Sequence, residues 1–435
     1  MAIKGYLQVA ANQRSFQDGE GKPVFWLGDT AWACPGRATW EEWVDYVDAR
    51  SAQGFNVIQL NSLPQHDAYQ PIFREGRHPF ALINKESADG RIFNWDYDAI
   101  QDDYFDRLKK MIAYANGKGM VIALVVLWFE HVPNSRLDVI PVHPGMTVQQ
   151  AIRYGTFLVE KLEELNIVWV VSGDDEFKGE GVAAFYNEVG MAMKEAEPYG
   201  RLITTHPVHK SGDTYHHASW LDFNMVQSGH GLNQDYNLGL IREEWDKQPP
   251  KPVLNAEPCY EHHPMIGRER RFDRYGVRRA GWRSVLEGSL TGITYGAYWI
   301  WNWAKSGEAP LNGTPSPYSW RDAMELPGAS DLVRMMQLLT TLPWFDLRPA
   351  SERLRSTQSC TVSVACTEAG SLLLVYLPEK CEIRLDVSGL AVEGKSAVWW
   401  SPESGERIAT TAGHQGSNEF TGSSPFDKDG LLIIS

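Results

Sequence analysis

The chain has 435 residues, 43% hydrophobic and 22% charged, which suits a soluble globular protein with one large domain and a smaller one. Its formal net charge of −14 argues against a nucleic-acid partner, because the chain has no basic stripe to displace counterions. No stretch approaches the roughly 18 apolar residues of a membrane span, and the N-terminus lacks the apolar segment of a secretory signal, so we expect a cytoplasmic protein with no membrane partner.

The first half of the chain alternates predicted strands and helices. Residues 6–25 have the pattern of a β-hairpin, and Thr39 with Glu42 predicts a capping box for a helix that ends at Gly54. The polar segment 62–95 is too long for an ordinary connection and indicates a functional loop. Apolar periodicity predicts further strands at 55–60, 120–128 and 167–171, and helices at 104–115, 147–165 and 182–196.

The second half continues the alternation and then changes character. Strands are predicted at 201–205, 221–226, 253–257 and 292–301, with a long helix at 272–286. Counted from Val24, in the second arm of the hairpin, there are eight strands interleaved with helices. They predict a (β/α)₈ TIM barrel over residues 1–345, including the N-terminal hairpin. Residues 346–435 show only short strands separated by turn residues, which predicts a small C-terminal antiparallel β-sandwich domain.

In such a barrel the carboxyl ends of the strands meet at one mouth. Two groups of carboxylates stand there, at 174–176 after strand four and at Glu257 after strand seven, on opposing sides of the barrel. Retaining glycosidases place two carboxyl groups about 5–5.5 Å apart, one as nucleophile and one as acid/base. The sequence therefore predicts a glycosidase with a carbohydrate substrate, and it leaves open which of Asp174, Asp175 and Glu176 is the acid/base.

Polar and aromatic side chains surround these carboxylates in the predicted mouth. We expect them to bind the sugar by hydrogen bonds and by ring stacking, although Asp29 could equally cap the first helix and the tryptophans could be core. The predicted substrate-binding residues are Asp29, Trp32, Asn61, Trp128, His206, Gln227, His230, Tyr260, Tyr295 and Trp301.

Two other functions are compatible with the same barrel. A catalytically silent carbohydrate-binding barrel would keep the aromatic residues, but the presence of both carboxylates argues against it. A metal-dependent barrel hydrolase is disfavoured because His206 and His209, three apart on a strand, point to opposite faces. The five cysteines are odd in number and form no C-x-x-C pair, so we expect neither a disulfide framework nor a zinc site, and no cofactor.

Four motifs carry a resemblance to a known family. Phe25–Trp32 (FWLGDTAW), Gly54–Asn61 (GFNVIQLN), Trp169–Asp174 (WVVSGD) and Asn255–Glu261 (NAEPCYE) resemble the apiosidase-like glycoside hydrolases, DUF4038 proteins of glycoside hydrolase family 140 with clan A barrels. Trp399–Gly405 resembles the β-sandwich of collagen-binding type that usually follows such barrels. The resemblance covers nearly the whole chain.

The resemblance implies a retaining mechanism. It assigns the acid/base to Asp174 and the nucleophile to Glu257, which stand where the family has its Asp after strand four and its Glu after strand seven. Ser172 departs from the family pattern, where a glycine is expected. The resemblance does not determine the sugar, and we expect the loop at 62–95 to select it.

Overall fold

The computed structural model describes residues 3–65, 77–84, 94–136, 145–307, 318–357, 360–391, 397–410 and 418–435. Its larger part is the expected (β/α)₈ barrel. The barrel strands are β1 (Trp26–Thr30), β2 (Val57–Asn61), β3 (Val121–Trp128), β4 (Ile167–Gly173), β5 (Ile203–Thr204), β6 (Asn224–Val226), β7 (Val253–Asn255) and β8 (Gly292–Tyr295).

All the strand pairs of this sheet are parallel, in the order β5-β4-β3-β2-β1-β8-β7-β6. The sheet closes between β5 and β6, where the Asp222 backbone N–H donates to the Ile203 carbonyl over 2.9 Å. β3 and β4 are buried along their whole length, as their continuous apolar sequences predict. The carboxyl ends of the eight strands therefore converge on one face.

Seven longer helices of the described segments pack around this sheet. The capping box predicted at Thr39 is present, and Gly54 ends that helix in a left-handed conformation with φ 103°. These helices are α1 (Trp40–Gln53), α2 (Asp102–Gly117), α3 (Val148–Lys161), α4 (Val182–Ala196), α5 (Gln234–Trp245), α6 (Arg274–Leu286) and α7 (Pro327–Leu339). Short helical turns occur at Cys34–Arg37, Phe129–His131, Gly212–Tyr215, Tyr298–Trp301, Trp320–Ala323, Trp344–Asp346 and Ser351–Arg353.

Three segments differ from the sequence-based expectation. The predicted last strand stops at Tyr295, and Tyr298–Trp301 is a helical turn, because aromatic content alone does not separate a strand from a buried helix. The N-terminal hairpin is a three-stranded meander of Gln8–Val9, Phe16–Gln17 and Pro23–Val24. The loop at 62–95 lies largely outside the described residues, but Phe80–Asn84 within it pairs with Asn94–Ile100.

The C-terminal part consists of two antiparallel sheets, as expected. A six-stranded sheet contains Leu347–Pro349, Ser363–Thr367, Leu373–Leu377, Gly430–Ile434, Ala397–Trp400 and Arg407–Thr410, in that spatial order. A three-stranded sheet contains Leu354–Thr357, Glu382–Asp386 and Glu419–Ser423. One disulfide joins Cys360 to Cys381, a pair 21 residues apart that no local pattern in the sequence indicated.

A buried ionic and aromatic interface joins the sandwich to α6. Arg278 is fully buried and forms ion pairs with Asp429 of the sandwich at 2.6 Å and with Asp331 of α7 at 2.7 Å. Trp282, one turn further along α6, stacks on Tyr376 and meets the edge of Trp400. The sandwich therefore covers an apolar face of the barrel that would otherwise be exposed.

Candidate active site

A cavity of about 490 Å³ opens at the carboxyl ends of the barrel strands. This is the face on which barrels of this kind carry their ligand sites. Its walls are Trp32, Gln65, Trp128, Arg136, Asp174, Val208, His209, Gln227, Ser228, Gly229, His230, Gly231, Asn237, Glu257, Tyr260, His263, Ile266 and Trp301.

Asp174 immediately follows β4 and turns its carboxyl group into this cavity. Its backbone has φ 55°, a left-handed conformation that Asp and Asn tolerate better than most other residues. The Asp174 N–H donates to the His206 carbonyl over 3.0 Å, which fixes the turn to the end of β5. Arg136, from the loop after β3, contacts the Asp174 carboxyl group at 2.9 Å.

The two acidic neighbours of Asp174 have other partners. Asp175 is buried, accepts a hydrogen bond from the Ser135 hydroxyl, and accepts another from the Phe177 backbone N–H over 2.7 Å. Glu176 forms an exposed ion pair with Lys178 at 2.7 Å. Of the three acids after β4, Asp174 is therefore the one that lines the cavity.

Glu257 lies across the cavity, two residues beyond β7. The Gln227 amide donates to its Oε1 over 2.8 Å, and His230 Nε2 lies 3.2 Å from the same oxygen. His206 Nε2 is 3.5 Å from the other oxygen, Oε2. Gln227 also lowers the pKa of Asp174, so a single amide influences both carboxyl groups.

The backbone determines which nitrogen of His230 carries the proton. The Tyr260 backbone N–H donates to Nδ1 of His230 over 3.3 Å, so Nδ1 acts as the acceptor. The neutral ring then carries its hydrogen on Nε2 and donates it to Glu257. This arrangement favours an ionised Glu257.

These surroundings drive the two carboxyl groups in opposite directions. Burial and the nearby charge of Glu257 raise the pKa of Asp174 to about 7, although Arg136 opposes the rise. Burial would also raise the pKa of Glu257, but the hydrogen bond from His230 and the electrostatic influence of the His206 and His230 rings outweigh it and lower that pKa to about 2. Near neutral pH the site thus holds one ionised carboxylate and one carboxyl group that is about half protonated.

Aromatic rings form the remaining walls, and glycines hold two of them in place. A Cβ on Gly173 would lie 2.1 Å from the Trp128 ring, and a Cβ on Gly296 would lie 2.0 Å from the Tyr260 ring. Trp32 donates its indole N–H to the Tyr260 hydroxyl over 3.2 Å. The Trp128 and Tyr260 rings therefore each depend on a neighbouring glycine, one at the end of β4 and one just after β8.

Eight of the predicted site residues line the cavity: Trp32, Trp128, Asp174, Gln227, His230, Glu257, Tyr260 and Trp301. His206 stands behind them, in contact with Glu257. Asp29 and Tyr295 do not line the cavity, so the structure does not bring them together with the other predicted substrate-binding residues. Asp29 pairs with Arg50 of α1 at 2.6 Å, and Tyr295 donates to Glu261 over 2.8 Å.

The strand register explains why Asp29 and Tyr295 share this placement. Asp29 and Tyr295 are direct partners on adjacent strands, so their side chains point to the same side of the sheet, toward the helices. Asn61 also stops short of the cavity and donates to the Gln65 side chain, which does line it. The sequence analysis did not single out Gln65 or Arg136, because both lie in loops and no pattern marks them.

Metal-binding side chains and membrane-spanning helices are the last features to consider in the described residues. In the parts of the chain that the structure describes, His, Cys, Asp and Glu side chains form no group of three that could hold a metal ion. Over the same residues, every helix is too short or too polar to cross a bilayer.

Solved structures resemble this protein over nearly its whole length. A glycoside hydrolase shares 26% identity with a TM-score of 0.79, with 99% of this chain and 96% of that chain covered. A family 5 glycoside hydrolase from Bacteroides vulgatus shares 25% identity with a TM-score of 0.79, covering 99% and 93%. Among curated proteins, no sequence matches this chain significantly. The barrel, its cavity and these relatives define the protein as a glycoside hydrolase.

Residues 10–346 match the model of the apiosidase-like catalytic domain. The chain therefore belongs to the apiosidase-like family, as its motifs indicated. The matched residues include all eight barrel strands.

Proposed function

We propose that this protein is a retaining glycoside hydrolase in which Glu257 is the nucleophile and Asp174 the acid/base. The observation that carries the proposal is the pair of carboxyl groups in one cavity whose surroundings separate their pKa values, to about 2 and about 7. Such a separation supplies an ionised nucleophile and a protonated acid at the same pH.

In the first step, a Glu257 oxygen attacks the anomeric carbon while the glycosidic C–O bond breaks. The bonding electron pair goes to the leaving oxygen, which takes the proton of Asp174. The products of this step are a glycosyl ester on Glu257, a released alcohol and an ionised Asp174. Gln227 and His230 hold the attacking carboxylate in position.

In the second step, Asp174 removes a proton from water as the water attacks the same carbon. The ester bond breaks, its electrons return to Glu257, and the sugar leaves with its original anomeric configuration. Trp32, Trp128 and Trp301 offer apolar faces that suit the C–H faces of a sugar ring.

The family name makes an apioside the first substrate to test. We would incubate the wild type, Glu257→Gln and Asp174→Asn with 4-nitrophenyl β-D-apioside, a panel of other aryl glycosides and plant oligosaccharides, and read the product anomers by NMR. We expect turnover with retention in the wild type, no turnover in Glu257→Gln, and a loss of about 100- to 10,000-fold in kcat on poor leaving groups in Asp174→Asn.

Inversion of configuration would rule out Glu257 as nucleophile. Binding of sugars without turnover would favour the catalytically silent carbohydrate-binding barrel instead. Gln337→Leu, an exposed substitution on α7, is a control for the effect of mutation alone.

A further inference from the structure

The first step of the proposed reaction moves a negative charge across the cavity. Before it, the charge is on Glu257 and Asp174 is neutral; after it, Glu257 is an uncharged ester and Asp174 is a carboxylate. The net charge of the site does not change, so the groups around each carboxyl determine how easily the charge moves.

The two ends of this movement have different partners. At Glu257, where the charge starts, the contacts come from Gln227, His230 and His206. At Asp174, where it arrives, Arg136 Nη1 lies 2.9 Å from Oδ2. Only 21% of the Arg136 side chain and 17% of the Asp174 side chain is exposed, so water screens this pair weakly.

The loop after β3 holds Arg136 firmly against the acid. Ser135, its neighbour, hydrogen-bonds Asp175, and the Arg136 guanidinium lies 5.0 Å from the centre of the Phe129 ring. The Asn134 carbonyl lies so close to Gly179 that a Cβ on Gly179 would be 2.0 Å from the carbonyl oxygen of Asn134. The segment 134–136 is thus packed against the residues that follow β4.

We propose that Arg136 is a positioning residue that converts Asp174 from acid to base once Glu257 has formed its glycosyl ester. The inference rests on the proposed function. In the free enzyme, ionised Glu257 favours a protonated Asp174 and Arg136 opposes it. Ester formation removes the influence of Glu257 and leaves that of Arg136, which then favours the carboxylate needed to activate water.

Other titratable groups face Asp174 or the cavity around it. They come from the loops after β4, β5, β6 and β7, and all of them except Glu257 are the same in every variant compared below. These groups are Asp175, His206, His209, His230, Tyr260 and, in variants that keep it, Glu257.

The test measures the titration of Asp174 without any substrate. Glu257→Gln imitates the neutral, esterified nucleophile. We would label aspartate carboxyl groups with ¹³C, assign Asp174 by its loss in Asp174→Asn, and titrate the wild type, Arg136→Met, Glu257→Gln and the double variant between pH 4 and 9. Arg136→Lys tests rescue, and Arg321→Met, an exposed arginine paired with Asp45, is the matched control.

We expect Glu257→Gln to lower the pKa of Asp174, and Arg136→Met to raise it by about 1 to 3 pH units in either background. Arg136→Lys should restore most of the wild-type value, and Arg321→Met should leave it unchanged. The inference is overturned if Asp174 titrates identically in Glu257→Gln with and without Arg136. It is also overturned if Arg136→Met only broadens all the NMR signals while Arg136→Lys folds but does not restore the wild-type pKa of Asp174.

A kinetic measurement separates this inference from the proposed function. With a glycoside that the wild type hydrolyses, Arg136→Met should slow hydrolysis of the glycosyl enzyme, so that a burst of the released alcohol precedes a slower steady state. No turnover by the wild type on any glycoside would count against the proposed function. Turnover with no burst and no shift of the pH profile in Arg136→Met would count against the role of Arg136 alone.

Discussion

At the scale of single residues, the site depends on neighbours that separate two chemically similar acids. Glu257 is buried and Asp174 is mostly buried, yet Asp174 is pushed toward its neutral form and Glu257 toward its charged form. His230 makes the difference at Glu257, and its tautomer is fixed by a backbone N–H rather than by another side chain. A change in that backbone segment would therefore alter the chemistry without touching either acid.

The pH dependence of activity follows from these two groups. Asp174 must carry its proton and Glu257 must have lost its own, so we expect kcat/KM to be highest between the two pKa values and to fall as the pH rises above about 7. The measurement is a kcat/KM profile on an aryl glycoside from pH 4 to 9. A plateau that continues to pH 9 would contradict the assignment of Asp174 as the acid.

The second residue-scale prediction concerns Gly173. Gly173→Ala places a methyl group 2.1 Å from the Trp128 ring, so the ring must shift within the cavity wall. We expect kcat/KM to fall by roughly 10- to 100-fold, since small misplacements of a site have effects of that size. Gly239→Ala has open space around it and serves as the control. Full activity in Gly173→Ala would mean that Trp128 does not position the substrate.

At the scale of elements, the sequence predicted most of the barrel. Strong signals were available for it: the capping box at Thr39, the glycine after α1, and the buried apolar strands β3 and β4. The short strands β5, β6 and β7 were placed correctly, but each predicted strand was two to three residues longer than the observed one. The sequence does not determine where these strands end, because a residue type at a strand end does not show whether that residue still pairs with the neighbouring strand.

The same reasoning explains which site residues were found. Asp174, Glu257 and Gln227 were predicted as site residues because they follow the ends of strands, and all three line the cavity. Position at a strand end does not show which side of the sheet a side chain faces, and Asp29 faces Arg50 of α1 rather than the cavity. It also could not find Arg136, because a loop residue reaches the site only through tertiary packing.

One prediction belongs to a single helix. Gly239 lies inside α5, and a Cβ at that position would meet nothing within 4 Å. Replacing it with alanine removes the entropic penalty of glycine in a helix, so we expect Gly239→Ala to stabilise the protein by up to about 1 kcal/mol. Urea unfolding would measure the change in the free energy of unfolding. A loss of stability would show that α5 requires glycine there for another reason.

At the scale of the whole molecule, the sandwich and the barrel share one buried interface. Arg278 lies at its centre with two carboxylate partners, Asp331 and Asp429, and is fully buried. Trp400 packs with the core of the barrel while its neighbour Trp399 belongs to the core of the sandwich. Adjacent residues of one strand thus contribute to two cores, as their opposite orientations require.

Breaking this interface should destabilise the protein strongly. Asp429→Ala removes the sandwich carboxylate and leaves Arg278 buried with one partner fewer, so we expect a loss of roughly 3–5 kcal/mol in the free energy of unfolding. Denaturant unfolding followed by tryptophan emission gives the value. Asp427→Ala, two residues earlier and exposed, should have little effect. Equal stability of the two variants would mean that Arg278 finds another partner.

The three tryptophans of the cavity wall have a practical consequence. Trp32 and Trp128 have ring centres 5.7 Å apart, and Trp301 lines the same space. A ligand that fills the cavity displaces water from indole rings, and indole emission responds to the polarity around it. Intrinsic fluorescence of the inactive Glu257→Gln variant should therefore report occupancy directly, so that sugars can be screened optically, without a chromogenic leaving group and before any product is known.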